Sequence, residues 1–206
     1  MEMAREEEKI KVFKLWVSPY VNRVLIALEE LGIPYDSQEE DIFNKSSELL
    51  EANPIHKTVP AIIHRGKPLS ESLIILEYIH ETFSSSSSSL LPHHPYDKAI
   101  ARFWADFVDN KFWKAGYDVI IREGEDQEKA KKEFIESFLQ LEEALKNVSG
   151  GKPYFGGDSF GYIDIVLVPY LPLWPSAEIL GDFRIPFEKC PHLSAWIELV
   201  SKRESV

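Results

Sequence analysis

Six consecutive serines, Ser84–Ser89, separate two stretches of chain that do not share one periodicity. Before them, short apolar runs alternate with amphipathic stretches. After them, apolar residues recur at helical spacing almost throughout. The surrounding "SSSSSSLLPHHP", residues 84–95, is low in complexity and reads as a linker. The pattern predicts an α/β domain at residues 9–83 and an all-helical domain at residues 96–206. With 206 residues, 44% of them hydrophobic, there is enough apolar material for both cores.

In the first domain "KVFKLWV" is a short apolar strand. Val21, Val24, Leu25, Leu28 and Leu31 follow at helical spacing, and Gly32 stops that helix. "PYDSQEED" is a polar strand, "SSELLEAN" a short helix halted by Asn53-Pro54, and "VPAIIHR" a buried strand. Gly66-Lys67 marks a tight turn into the return strand that "PLSE" begins. "SLIILEYIHETF" is a helix with Ser72 as its expected N-cap. A parallel start joined to a closing hairpin gives a mixed sheet, the order of a thioredoxin-like module.

In the second domain Ile100, Phe103, Trp104, Phe107, Val108 and Phe112 form one apolar stripe. Ala130, Phe134, Phe138, Leu141 and Leu145 form another. Tyr162–Leu171 is apolar all round and is expected to be the central buried helix; "HLSAWIELVSKR" is the last.

Several function classes are disfavoured. The formal charge is −11, which repels a phosphate backbone, so nucleic acid is not an expected partner. The chain has one cysteine, Cys190, so neither an internal disulfide nor a cysteine zinc site is available. No two of the six histidines stand at metal-ligand spacing on one helix face, and no metal is expected. "MEMAREEEKIKV" is acidic where a signal peptide needs a basic and then an apolar run. "IDIVLVPYLPLW" comes closest to a membrane span, but it is short and carries two prolines. A cytosolic protein is expected. The glycine-rich "SGGKPYFGGDSFG" matches neither the P-loop nor the dinucleotide-binding pattern.

"WVSPYVNRV" places a lone hydroxyl, Ser18, at a strand-to-helix junction. Taken alone it is a helix cap with Pro19 at the first helical position. Nothing around it resembles the nucleophile elbow of a hydrolase. The wider context changes this. "SPYVNRVLIALEELGI", "EEDIFNKS", "NPIHKTVPAIIHRGKPLSESLIILEYI" and "ARFWADFVD" together resemble the tau-class glutathione S-transferases of plants, from about residue 11 to the end.

The resemblance implies a thioredoxin-like domain, a helical domain, and conjugation of glutathione to hydrophobic electrophiles. It implies that Ser18 hydrogen-bonds the glutathione sulfur. Thiols titrate near ~8.5, so a donor to the thiolate and a helix N-terminus both favour the reactive form. It implies that Glu71 and Ser72 hold the γ-glutamyl end, and that Val59, ahead of a cis Pro60, pairs with the cysteinyl main chain as an added strand would. It places Lys45 on the glycine carboxylate. Asp164 in "GYIDI" is structural, returning a hydrogen bond to its helix cap.

The chain departs from the family pattern at Thr58, where a second lysine is usual. Thr58 offers a hydroxyl without charge, and a lost charge-assisted hydrogen bond typically costs about 1–3 kcal/mol, so weaker glutathione binding is expected. Val17 stands where a proline is common. The sequence ends at "SKRESV", sooner than the resemblance implies, which leaves two readings, a more open pocket or a shortened sequence. The second-substrate site is expected between the domains, lined by Trp16, Tyr20, Phe43, Val108 and Phe112. The resemblance further implies a homodimer and a glutathione-dependent peroxidase side activity. Two other readings remain at this point: a carrier of hydrophobic ligands with little catalysis, and a thiol–disulfide enzyme, which would need a cysteine where Ser18 stands.

Overall fold

The computed structural model describes residues 9–85 and 89–206. The acidic N-terminal segment 1–8 and the serines at 86–88, part of the expected linker, lie outside the described residues. The chain divides into two compact units, with the division between Leu90 and Leu91.

Among the described residues, the first unit is a four-stranded mixed sheet with three helices. Its elements are β1 (Ile10–Lys14), α1 (Pro19–Glu30), β2 (Tyr35–Glu39), α2 (Ser47–Ala52), β3 (Ala61–His64), β4 (Lys67–Ser70) and α3 (Ser72–Phe83). The strand order is β2-β1-β3-β4. β1 and β2 run parallel, with Val12 opposite Ser37; β3 runs antiparallel to both β1 and β4, with Ile62 opposite Val12 and Leu69. Ile10, Val12 and Phe13 of β1 are wholly buried, as are Val21, Val24, Ala27 and Leu28 of α1. β2 is polar because it is an edge, and Asp36 and Glu39 there discourage pairing with another chain.

Helix α1 ends in a Schellman motif. Gly32 takes φ 64°, its N–H donates to the Glu29 carbonyl at 3.0 Å, and the Ile33 N–H donates to the Leu28 carbonyl at 2.9 Å. The β3–β4 turn is Arg65-Gly66, one residue earlier than expected. Both take positive φ, 51° and 71°, the backbone of a two-residue hairpin loop. Ser72 is the first residue of α3, not its cap. Glu71, at φ 74° and ψ 113°, holds the cap position and turns the chain from β4 directly into the helix.

The second unit is helical: α4 (Pro95–Phe107), α5 (Lys114–Ile121), α6 (Gly124–Val148), α7 (Tyr162–Leu167), α8 (Trp174–Gly181) and α9 (Pro191–Val200). A wider helical turn over Val108–Trp113 joins α4 to α5. The core is aromatic. Phe112, Phe134 and Phe138 meet pairwise at 5.0–5.1 Å between ring centroids, and Trp174 lies 4.8 Å from Phe138. Gly116 is required there, because a β-carbon would sit 2.8 Å from the Phe134 ring.

Two expectations change in this unit. The buried face of α4 is Ala101 and Ala105, followed by Val108, and Phe103 is 59% exposed. Small residues let α4 approach α7 closely, and Phe103 turns outward while Trp104 and Phe107 are half-buried. The apolar segment beginning at Tyr162 is not one α-helix. It tightens to a 3₁₀ turn over Val168–Leu173, where Pro169 and Pro172 lack the N–H groups an α-helix uses. Residues 162–181 are long and apolar enough to cross a membrane, with a mean hydropathy of 1.3, but half of the run is buried inside the protein. It is the centre of a helical core.

Candidate active site

Sheet pairing gathers the predicted residues of the first unit at one end. Ala61 at the start of β3 pairs with Phe13 near the end of β1 and with Ser70 at the end of β4. Val59 and Pro60 therefore enter beside the exit of β1, which leads to Ser18, and beside Glu71 and Ser72. Lys14 pairs with Glu39 at the end of β2, which leads to Lys45. Ligands of α/β sheets bind beyond such strand ends.

Ser18 caps α1. Its Oγ accepts the Val21 N–H at 3.3 Å, and Pro19 occupies the first helical position. The hydroxyl thus spends an acceptor on the cap and keeps its proton to donate outward. Cap and donor are compatible roles for one atom. The adjacent helix N-terminus adds partial positive charge.

Ser72 is 7% exposed, and its Oγ accepts from Arg23 Nη1 at 3.2 Å. Arg23 is wholly buried on α1, with its guanidinium 5.1 Å from the Tyr20 ring centroid. It ties the start of α3 to α1 and places positive charge behind a helix N-terminus. Because Arg23 fills the acceptor, the Ser72 hydroxyl proton and the N-terminal amides of α3 can meet an anion. Glu71, half exposed, holds a positive φ that a β-carbon makes costly, a kind of strain that collects at functional sites.

The 53–59 loop is organised by Asn53, which is 2% exposed. Its Nδ2 donates to the Thr58 carbonyl at 3.0 Å, its Oδ1 accepts the His56 N–H at 3.2 Å, and its carbonyl accepts the Lys57 N–H at 2.9 Å. The loop delivers Val59 to a cis peptide bond with Pro60. Among the described residues, neither the N–H nor the C=O of Val59 has a hydrogen-bond partner, so both are open to an extended peptide. Thr58 lies exposed on this loop.

Lys45 is half-buried and precedes Ser46, the cap of α2. Glu40 fixes that segment: its carboxylate accepts the Ser46 N–H at 2.9 Å, the Ser46 hydroxyl at 2.7 Å and the Gln38 amide at 2.8 Å. Burial pushes the Glu40 carboxyl up, but the bonds from Ser46 and Gln38 and the charge of Lys11 outweigh it and hold it below the usual range.

The five apolar candidates separate. Trp16, Tyr20 and Phe43 are 75%, 37% and 92% exposed in the first unit. Val108 and Phe112 are wholly buried, and Phe112 sits inside the aromatic core of the second unit. In this structure Phe112 is a core residue.

Asp164, fully buried at the start of α7, receives four N–H groups: Phe155 at 3.0 Å, Gly156 at 3.2 Å, Gly161 at 2.9 Å and the Trp196 indole at 2.7 Å. Burial pushes its carboxyl up to about 6 against those bonds. Cys190 is wholly buried; burial first, then the Glu142 and Glu188 charges, push its thiol up to about 11, which makes it a poor redox nucleophile.

Arg23, Asn53 and Glu40 were not among the residues the sequence singled out. Asn53 alone carried a local signal, the Asn-Pro turn. Arg23 reaches a partner that only the fold brings near, while Glu40 bonds its chain neighbours Gln38 and Ser46, which no recognised motif marked.

Comparison with known proteins agrees with the architecture. The profile of the glutathione S-transferase N-terminal domain matches residues 8–81, and that of the C-terminal domain matches residues 96–204. Glutathione S-transferase U28 of Arabidopsis thaliana is 46% identical over 206 residues, covering 99% of this chain and 89% of the relative. The probable glutathione S-transferase parC of Nicotiana tabacum is 46% identical over 204 residues, covering 99% and 89%. Among solved structures, the tau-class glutathione S-transferase of mango, Mangifera indica, superposes with a TM-score of 0.90 at 37% identity, covering 96% of this chain and 90% of the other. A rice GST solved in complex with glutathione superposes at 0.87 with 36% identity, covering 97% and 90%.

Proposed function

This chain belongs to the glutathione S-transferase family, tau class, and on that premise we propose how its first unit activates glutathione. The protein is an enzyme, a glutathione transferase, and glutathione is its co-substrate. The free hydroxyl proton of Ser18, at the N-terminus of α1, donates to the glutathione sulfur and favours the thiolate. The thiol proton leaves to solvent. The sulfur lone pair forms a bond to an electrophilic carbon, and the leaving group departs with its electron pair. Ser18 acts as a donor throughout and forms no covalent bond.

The rest of the tripeptide is distributed over the strand ends. The α-carboxylate of the γ-glutamyl group is received by Ser72 and the first amides of α3, backed by Arg23, and the α-ammonium by Glu71. The open N–H and C=O of Val59 pair with the cysteinyl main chain. Lys45 meets the glycine carboxylate, with Thr58 beside it as an uncharged contact. Trp16, Tyr20 and Phe43 are among the exposed apolar residues of this unit and suit hydrophobic electrophiles. The same thiolate would reduce organic hydroperoxides, two glutathiones giving the disulfide, an alcohol and water. We place the working enzyme in the cytosol as a two-fold dimer, on the family likeness.

One observation carries this reading: the Ser18 hydroxyl uses its acceptor on the cap and keeps its donor. The test is the rate of glutathione conjugation to chlorodinitrobenzene by wild type and Ser18→Ala. A clear wild-type rate that collapses in the variant supports the assignment. Equal rates would remove Ser18 from the chemistry. Negligible turnover with intact glutathione binding would make the protein a carrier.

A further inference from the structure

Glu71 faces a side chain from the opposite wall of the site. His56 Nε2 lies 3.9 Å from Glu71 Oε1, within ion-pair reach and beyond a hydrogen bond. Both partners are backbone-anchored. The His56 N–H is held by Asn53 Oδ1, and the following Lys57 N–H by the Asn53 carbonyl. Asn53 is itself buried. Glu71 is fixed by its cap position and its φ of 74°. The two side chains are 57% and 51% exposed, and ion pairs so open to water contribute little to folding. Stability does not explain why two anchored backbones set an imidazole beside this carboxylate.

We propose that His56 is a positioning residue: it biases the Glu71 carboxylate toward the rotamer that receives an α-ammonium, and so makes the site selective for thiols that carry one. The inference rests on the reading of Glu71 given above. An imidazole set 3.9 Å from one carboxylate oxygen leaves the other for the ligand. A carboxylate already biased in its rotamer loses less freedom when the ligand arrives. His56 need not touch glutathione to act in this way.

The test compares wild type, His56→Ala, His56→Gln and Glu71→Gln. Each is assayed with glutathione and with glutaryl-cysteinyl-glycine, the same molecule lacking its α-amino group. KM and kcat are taken from initial rates, and affinities from titration calorimetry. His56→Ala should raise KM for glutathione about three- to fivefold at unchanged kcat. Gln keeps an N–H donor and should recover most of the loss. Affinity for the deaminated ligand should not move in His56→Ala. An equal loss for both ligands would show that His56 acts on the loop as a whole, which overturns the proposal, as would an unchanged KM. If Glu71→Gln binds glutathione normally, the Glu71 reading itself fails. If Glu71→Gln weakens binding and His56→Ala does not, only the role of His56 fails.

Discussion

Three helices in this protein begin in chemically similar ways and are finished differently. At the start of α7 the Asp164 carboxylate receives three backbone N–H groups and the Trp196 indole, all from its own unit, with the bonds from Phe155, Gly161 and Trp196 buried. At the start of α1 the Ser18 hydroxyl receives one N–H and keeps its proton. At the start of α3 the Ser72 hydroxyl is filled from behind by Arg23, and the preceding Glu71 supplies no side-chain cap. The first arrangement is closed. The other two leave donors pointing outward on rigid supports. A cap residue therefore serves folding or chemistry according to how much of its capacity the fold consumes.

The largest expected effect breaks the closed arrangement. Asp164→Ala strands four donors, three of them buried, and should cost on the order of 3–5 kcal/mol, read as a lower urea midpoint. The fraction that remains folded should keep its specific activity. The same carboxyl gives the closed side a pH signature that can be checked directly. Burial raises it from 3.8 to about 6, so as pH falls the folded chain takes up this proton before the unfolded chain does. Stability measured relative to Asp164→Asn should be flat above about pH 7 and increase as pH falls from about 6 to about 4, by at most about 3 kcal/mol.

Ser18→Ala tests the open side. Its conjugation rate should fall about a hundredfold, while the lost cap costs only about 1 kcal/mol of stability. Activity and stability should thus separate in opposite senses at Ser18 and Asp164. A variant at either position that moved both together would erase the distinction between them.

Asn53→Ala lies between the two, because Asn53 is buried yet serves an open loop. It should cost about 1–2 kcal/mol and also raise KM for glutathione severalfold, measured on the same preparation. The smallest effect expected is from Thr58→Lys. An exposed charge added beside the predicted glycine-carboxylate position should improve glutathione affinity about threefold, an effect that added salt diminishes.

Much of this was legible in the sequence. The order of strands and helices followed from short apolar runs, and Gly32, Pro19 and the Asn53-Pro54 pair marked boundaries that depend only on local backbone chemistry. Ser18 and Glu71 stand beside such boundaries, where local chemistry alone reads a cap and a solvated acid; the family resemblance is what singled them out. Arg23 could not be singled out, since it reads as a solvent-facing arginine until the fold brings Ser72, 49 residues away, to its guanidinium. Glu40 was hidden differently: its partners Gln38 and Ser46 are close in the chain, but it reads as one more solvated acid in an acidic stretch. Phe103 misled because hydrophobic spacing names an apolar face without saying which helices pack closely enough to need alanine there. Phe112 misled by being aromatic and near the expected pocket, while its ring neighbours are all core residues of the second unit.

The most direct measurement is the ionisation of glutathione on the enzyme, followed by the ultraviolet absorbance of the thiolate against pH for wild type and Ser18→Ala. In wild type the bound thiol should titrate well below the free value of about 8.5, and in the variant it should return toward that value. A bound thiol that titrates at the same pH in both proteins would contradict the assignment of the outward donor at α1.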